Sequence, residues 1–216
     1  MAQTYTIWFN HSFLKIVNPA TLTTEVEMLY EQVIKNEDQL NALLQPDSVM
    51  FDGKTKDCIL VAVDEPVNVL AYFKKTLKLV MAGGGIIFNE NKQLLLIKRK
   101  GFWDLPKGKA EKGEKIRDTA IREVEEETNV KIETAAEQSF VTYHAYFLKG
   151  EYCIKETHWF EMDAALNQEL LVPQREEGIE EVLWVEINDL PVYKEEAYPL
   201  IWSILEGYMQ TGRNGI

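Results

Sequence analysis

Tyr5, Ile7 and Phe9 alternate with polar or tolerant residues, a period of two that predicts a strand. Residues 13–17 fit its hairpin partner, joined through Asn10, His11 and Ser12. Thr24-Glu25-Val26-Glu27 has the form of a capping box, and Val26, Leu29, Tyr30, Val33 and Ile34 follow at helical spacing. Asn36, Glu37 and Asp38 break or restart that helix before Leu40, Leu43 and Leu44. Residues 58–63 form a short apolar run that suits a buried strand. Asp64-Glu65-Pro66 then opens a helix with Val67, Leu70, Ala71 and Leu77 as its apolar stripe. Together these elements predict a small α/β domain over residues 1–78. They carry no catalytic constellation, and His11 reads as a surface turn residue.

The pattern changes near Lys78. Residues 79–88 and 93–98 read as strands around a turn at residues 89–92. Further strands are predicted at residues 140–148, 153–162 and 181–187, and a last helix within residues 198–209, where Leu200, Ile201, Ile204, Leu205 and Met209 recur. Gly83, Gly84 and Gly85 match neither dinucleotide nor P-loop phosphate spacing, so close backbone packing or a bulge is the better reading. A second domain is expected over residues 79–216.

Composition narrows the function classes. With Asp+Glu 35 against Lys+Arg 23 the net charge is −12, which argues against a nucleic-acid or anionic-membrane surface as partner. Small phosphorylated substrates stay open, because a bound cation inverts the local field. Cys58 and Cys153 form no CxxC and read as free buried thiols. The opening MAQTYTIWFN has neither a basic n-region nor an apolar h-region, and the expected setting is reducing and cytoplasmic.

The chemistry concentrates at residues 108–130, GKAEKGEKIRDTAIREVEEETNV. At about 100° per residue, Glu123 and Glu127 lie on one helix face with Glu126 beside them, while Glu125 points to the opposite side as a solvated residue. Ala120, Ile121 and Val124 form a separate apolar sector. Three converging carboxylates with no nearby Cys or His suit a hard cation such as Mg²⁺ or Mn²⁺.

The spacing resembles the signature of the Nudix hydrolases, G-x5-E-x7-R-E-U-x-E-E-x-G-U with U aliphatic. Gly108, Glu114, Arg122, Glu123, Val124, Glu126, Glu127 and Val130 match it, and Asn129 stands where the family has its second glycine. The resemblance implies a Nudix-like α/β/α sandwich with a mixed sheet. It implies Glu123, Glu126 and Glu127 as metal ligands and catalytic groups, joined by the main-chain carbonyl of Lys107 and, with more than one ion, by Glu111. Glu114 and Arg122 would brace loop against helix. The base is Glu126 or an acid of the loop at residues 172–180, namely Glu176, Glu177 or Glu180. The implied reaction is hydrolysis of a phosphoanhydride linked to a nucleoside diphosphate, in a dinucleoside polyphosphate or nucleoside triphosphate. Alternatives are a non-catalytic nucleotide-binding or regulatory domain, and an ADP-ribose or nucleotide-sugar pyrophosphatase. Lys98, Arg99 and Tyr146 are candidate substrate contacts, among the basic residues Lys98, Arg99, Lys100, Lys107 and Lys109 and the tyrosines Tyr143 and Tyr146. Phe102, Trp103, His144 and His158 read as packing or hydrogen-bonded residues. The expected partner is a small nucleotide, with a homodimer possible. Asn129 is expected to keep the left-handed turn that ends the helix.

Overall fold

The computed structural model describes residues 4–9, 12–21, 32–34, 38–39, 58–62, 65–164 and 171–211. It divides into two compact units, Met1–Val80 with Thr142–Glu156, and Met81–Val141 with Thr157–Ile216.

In the first unit, β1 (Tyr5–Phe9) and β2 (Ser12–Val17) form the antiparallel hairpin, with Ile7 opposite Leu14. β3 (Gln32–Ile34) and β2 both run parallel to β4 (Cys58–Ala62). The helix predicted from Val26 therefore does not continue through Val33 and Ile34. Two β-branched residues favour extended backbone, and β4 supplies a partner for it. His11, residues 22–31, Leu40, Leu43 and Leu44 lie outside the described residues.

Helix α1 (Pro66–Thr76) begins at the expected proline. Half of the expected stripe holds: Leu70 and Leu77 are buried, whereas Val67 is 42% exposed and Ala71 is exposed. Val69 and Phe73 take their places, and the four pack onto Ile7, Leu14, Ile16, Ala145 and Ile154. Phe73 has the largest apolar surface on the helix, and burying it sets the face.

The second unit explains its own apolar runs. Strand β5 (Lys78–Phe88) pairs antiparallel with β6 (Leu94–Arg99), and short strands β7 (Phe102–Asp104) and β8 (Lys107–Lys109) pair with β6 and β5. β9 (Ile132–Ala135) pairs with the end of β11 (Glu151–Ala164), whose first residues belong, like most of β10 (Phe140–Leu148), to the first unit. β12 (Ile179–Val185) pairs antiparallel with β6, with a register shift between Ile179 and Glu181. It stops two residues short of the predicted end, because Glu186 caps the 3-10 segment Ile187–Glu196 and accepts from Asp189 N at 2.9 Å.

Alternation in β5 and β6 builds two cores. Ile86, Phe88, Leu94 and Leu96 pack on one side with Ile201, Ile204, Leu205 and Tyr208 of the last helix, Pro199–Thr211. Ile87, Leu95 and Ile97 pack on the other with Ala120 and Val124 of helix α2 (Ile116–Thr128). A sheet covered on both faces by helices is the α/β/α arrangement, and it makes its strands apolar throughout. Cys153 is buried and free, as the composition suggested. Among the described residues, no helix is long and apolar enough to cross a membrane.

Candidate functional site

Helix α2 approaches β5 closely because β5 carries glycines there. A Cβ on Gly83 would lie 2.6 Å from Ala120 N and 2.7 Å from Ile116 O. Gly84 and Gly85 are likewise filled, by the Trp159 ring and by Val124 and Ile87. Gly83 and Gly85 thus form a packing surface for the helix, while Gly84 makes room for Trp159.

Gly108, on β8 opposite Gly83, has a different task. A Cβ there would sit 1.8 Å from Glu123 Oε2, so the Glu123 carboxylate rests directly on the Gly108 backbone. Four residues on, Glu127 is 2% exposed and its Oε2 accepts from Lys107 N at 2.9 Å. Burial pushes the Glu127 carboxyl up to about 7; the Lys107 ammonium and main-chain N–H oppose this, and Asp104 adds to it. Burial also raises Glu123, against the pull of Arg122 and with help from Glu126 and Glu177. Glu126 is exposed, beside a groove of about 400 Å³ lined by Asp118, Ile121, Arg122, Glu125, Glu126 and Lys131.

Arg122 is the hub of this face. It donates to Glu114 through Nε at 2.8 Å and Nη2 at 3.0 Å. Its Nη1 donates to Glu123 at 2.8 Å and to Glu126 at 2.9 Å, and Nη2 reaches Lys109 O at 3.2 Å. Glu114 also accepts from Thr119 Oγ1 at 2.7 Å and from Glu111 N at 3.0 Å. Arg122, then the Glu111 N–H and Thr119, hold the Glu114 carboxyl down at about 2. Arg122 thus joins loop to helix and also supplies positive charge to two of the three predicted ligands.

Among the described residues, no three His, Cys, Asp or Glu side chains stand together as a ready ligand cluster. The donor chemistry nevertheless fits a hard divalent cation. Glu127 and Glu123 are carboxylates whose ionised forms are disfavoured by burial, and Glu123 also by neighbouring negative charge, a condition an added cation relieves. Glu111 is exposed and engages Glu114 through its main chain.

The remaining candidates separate. Arg99 Nε donates to Glu177 O and its Nη2 to Glu177 Oε2, each at 3.0 Å, while Nη1 lies 3.9 Å from Glu127 Oε1. Lys98 pairs with Glu196 at 2.7 Å and lies 5.1 Å above the Trp103 ring. Glu180 accepts from Gly101 N at 3.2 Å, and Glu176 is exposed in the 3-10 turn Arg175–Glu177. This loop is fastened to the end of α2: Val172 N donates to Thr128 O and Gln174 N to Glu127 O, both at 3.1 Å. Tyr146 belongs to the first unit, where its ring lies 5.4 Å from that of His144. Phe102 stacks on Tyr198 at 4.8 Å, and Trp103 is buried. His158 is half-buried, 3.3 Å from Ser139 Oγ.

Glu125 needs correction. It is not simply solvated: it pairs with Lys131 at 2.8 Å and accepts from Ile132 N at 3.2 Å, tying the helix to the strand after it. Asp104 was missed as a site residue. It is 3% exposed, ion-paired to Lys107 Nζ, and accepts from Leu105 N at 2.8 Å. The signal was the opposite charge three residues on, inside an otherwise apolar stretch. Asn129 ends the helix at φ 61° and ψ 14°, donating to Glu125 O at 2.9 Å.

The NUDIX domain model matches residues 78–205, more than half of the chain. The uncharacterized Nudix hydrolase YvcI of Bacillus subtilis (strain 168) is 33% identical over 106 residues, 49% of this chain and 65% of that protein. The chain therefore spans a little under two thirds of that relative's length. An RNA pyrophosphohydrolase of Pelagibacter ubique (strain HTCC1062) is 28% identical over 120 residues, 50% of this chain and 76% of that one. The solution structure of the E. coli ORF135 protein aligns with TM-score 0.48 and 21% identity, over 65% of this chain and 96% of that one. Gly108 under the Glu123 carboxylate, the Glu114–Arg122 pair and the Asn129 turn fall within the matched region, and the chain belongs to the Nudix family.

Proposed function

We propose that the chain is a divalent-cation-dependent pyrophosphohydrolase that cleaves a phosphoanhydride bond in a nucleoside diphosphate-linked substrate. The observation that carries this reading is Glu127: a buried carboxylate with its pKa pushed up to about 7, one turn from a second buried-side carboxylate, Glu123. Two acids held apart from water serve poorly as surface charge and well as cation ligands. Glu123 and Glu127 would hold the ion directly, Glu126 directly or through water, and the Lys107 carbonyl and Glu111 would complete the set as ions are added. When bound, Mg²⁺ or Mn²⁺ supplies charge neutralisation at the phosphates and lowers the pKa of water.

The chain's own residues do the rest. Gly108 leaves room for the Glu123 carboxylate. Lys107 N–H orients Glu127. Arg122 and Glu114 keep the Gly108 loop against the helix. A carboxylate beside the attacking water, Glu126 or one of the loop acids Glu176, Glu177 and Glu180, takes the proton from that water. The name of the Pelagibacter relative supports pyrophosphate hydrolysis and puts RNA on the substrate panel beside dinucleoside polyphosphates, nucleoside triphosphates and ADP-ribose.

One observation favours a second reading, a nucleotide-binding domain without turnover: Arg122 already satisfies Glu123 and Glu126. Phosphate or nucleotide release from that panel, with Mg²⁺, Mn²⁺ or EDTA, separates the two. Metal-dependent release that Glu127→Gln abolishes supports the hydrolase. Tight nucleotide binding without release on any substrate supports the binding domain.

A further inference from the structure

Arg99 sits at the end of β6 and its guanidinium is shared between two elements. Two of its nitrogens hold one residue, Glu177, by main-chain oxygen and by carboxylate, each at 3.0 Å. The third lies 3.9 Å from Glu127 Oε1 on the helix. A planar fork gripping both the backbone and the side chain of one residue fixes that residue's direction as well as its position. Other bonds pin the same loop around this point. Val172 and Gln174 donate to the last carbonyls of α2, and Lys100 N donates to Gly178 O at 3.3 Å. The other loop acids are differently engaged: Glu180 accepts from Gly101 N, and Glu176, exposed like Glu177, is not bonded to Arg99.

We propose that Arg99 is a positioning residue, which fixes the Glu177 carboxylate beside Glu127 and Glu123 and so makes Glu177 the loop acid of the site. Arg99 is then not primarily a grip for substrate phosphate, the role its charge alone suggests. Glu177 also bears on Glu123, whose carboxyl it helps to raise. The catalytic consequence, proton removal from water by Glu177, rests on the hydrolase reading above; the positioning does not.

The test uses the full chain and five proteins: wild type, Arg99→Gln, Glu177→Ala, the double variant, and Arg99→Lys as the conservative control. Hydrogen exchange of the amides at residues 172–178 reads the positioning without any substrate. Both single variants are expected to exchange about tenfold faster there, with no further gain in the double. Kinetics on diadenosine tetraphosphate and ATP with Mn²⁺ read the role. Each single variant is expected to lose about 10²- to 10³-fold in kcat with KM little changed, the losses not adding in the double. Arg99→Lys, which keeps charge but not the fork, should recover only part of either effect. Unchanged exchange in Arg99→Gln overturns the proposal. So does a rise in KM with kcat intact, the mark of a phosphate grip, or fully additive losses. If wild type turns over no substrate of the panel above while exchange still responds as expected, the hydrolase reading fails and the positioning stands.

Discussion

Glu127 shows how one residue's burial sets the behaviour of the site. Its carboxyl ionises near pH 4.5 in an ordinary environment and is pushed up to about 7 in the fold. Between those values the folded chain holds a proton that the unfolded chain has released. The group's contribution to stability therefore falls as pH rises through that window, by up to about 3 kcal/mol. Glu127→Gln removes this slope. In EDTA the variant should resist urea better than wild type at pH 8 and match it at pH 5, while losing metal-dependent hydrolysis. Parallel denaturation curves at both pH values would contradict this. Asn129 carries a smaller load: Asn129→Ala places a β-carbon in the left-handed region and should cost about 1 kcal/mol by thermal melting, with Asn129→Gly neutral or slightly stabilising. Glu125→Gln should leave turnover unchanged and cost less than about 1 kcal/mol, because its partner Lys131 is exposed and the Ile132 N–H can still be accepted by the amide oxygen.

At the scale of elements, the site depends on how near α2 comes to β5 and β8. Gly83→Ala puts a methyl 2.6 Å from Ala120 N and 2.9 Å from Ala120 Cα, where only backbone could yield. The helix must move out, at about 1–3 kcal/mol of stability. Moving the helix also moves Glu123 and Glu127, so Mn²⁺ binding followed by electron paramagnetic resonance should weaken along with the melting temperature. A stable variant with unaltered Mn²⁺ affinity would show that the ligands do not need this spacing. Gly108→Ala acts more locally, since its methyl would fall on the Glu123 carboxylate itself.

At the scale of the whole molecule, the first unit is held together by segments far apart in sequence. Ile7 and Trp8 of β1 pair with Tyr143 and His144 of β10, and Ala145 and Ile154 share a core with Ile7, Phe9, Leu14 and Phe73. A chain beginning at Leu79 would uncover Ala145 and Ile154 and leave β10 an open edge. It should aggregate on size-exclusion chromatography; a soluble, fully active truncation would show that residues 1–78 are dispensable to the fold.

The spacing from Gly108 to Val130 was enough to identify the helix, its glutamates and the family resemblance, because each feature is local: helical phase, a tight loop, a left-handed stop. The long apolar strands were legible for the same reason, as β5 and β6 are buried on both faces and read as continuous runs. Short strands were not, since three residues such as Phe102–Asp104 or Gln32–Ile34 carry too little periodicity and become strands only when a neighbour offers hydrogen bonds. The sequence likewise determined that carboxylates crowd one helix face. Only the tertiary structure decided what each one meets: Glu127 buried with its carboxylate on Lys107 N, Glu123 laid on Gly108, Glu126 exposed and bonded to Arg122, Glu125 bonded to the next strand; it also brought the loop residue Glu177 onto Arg99. Charge and phase are properties of the chain, whereas burial and partnership arise only when distant segments pack together.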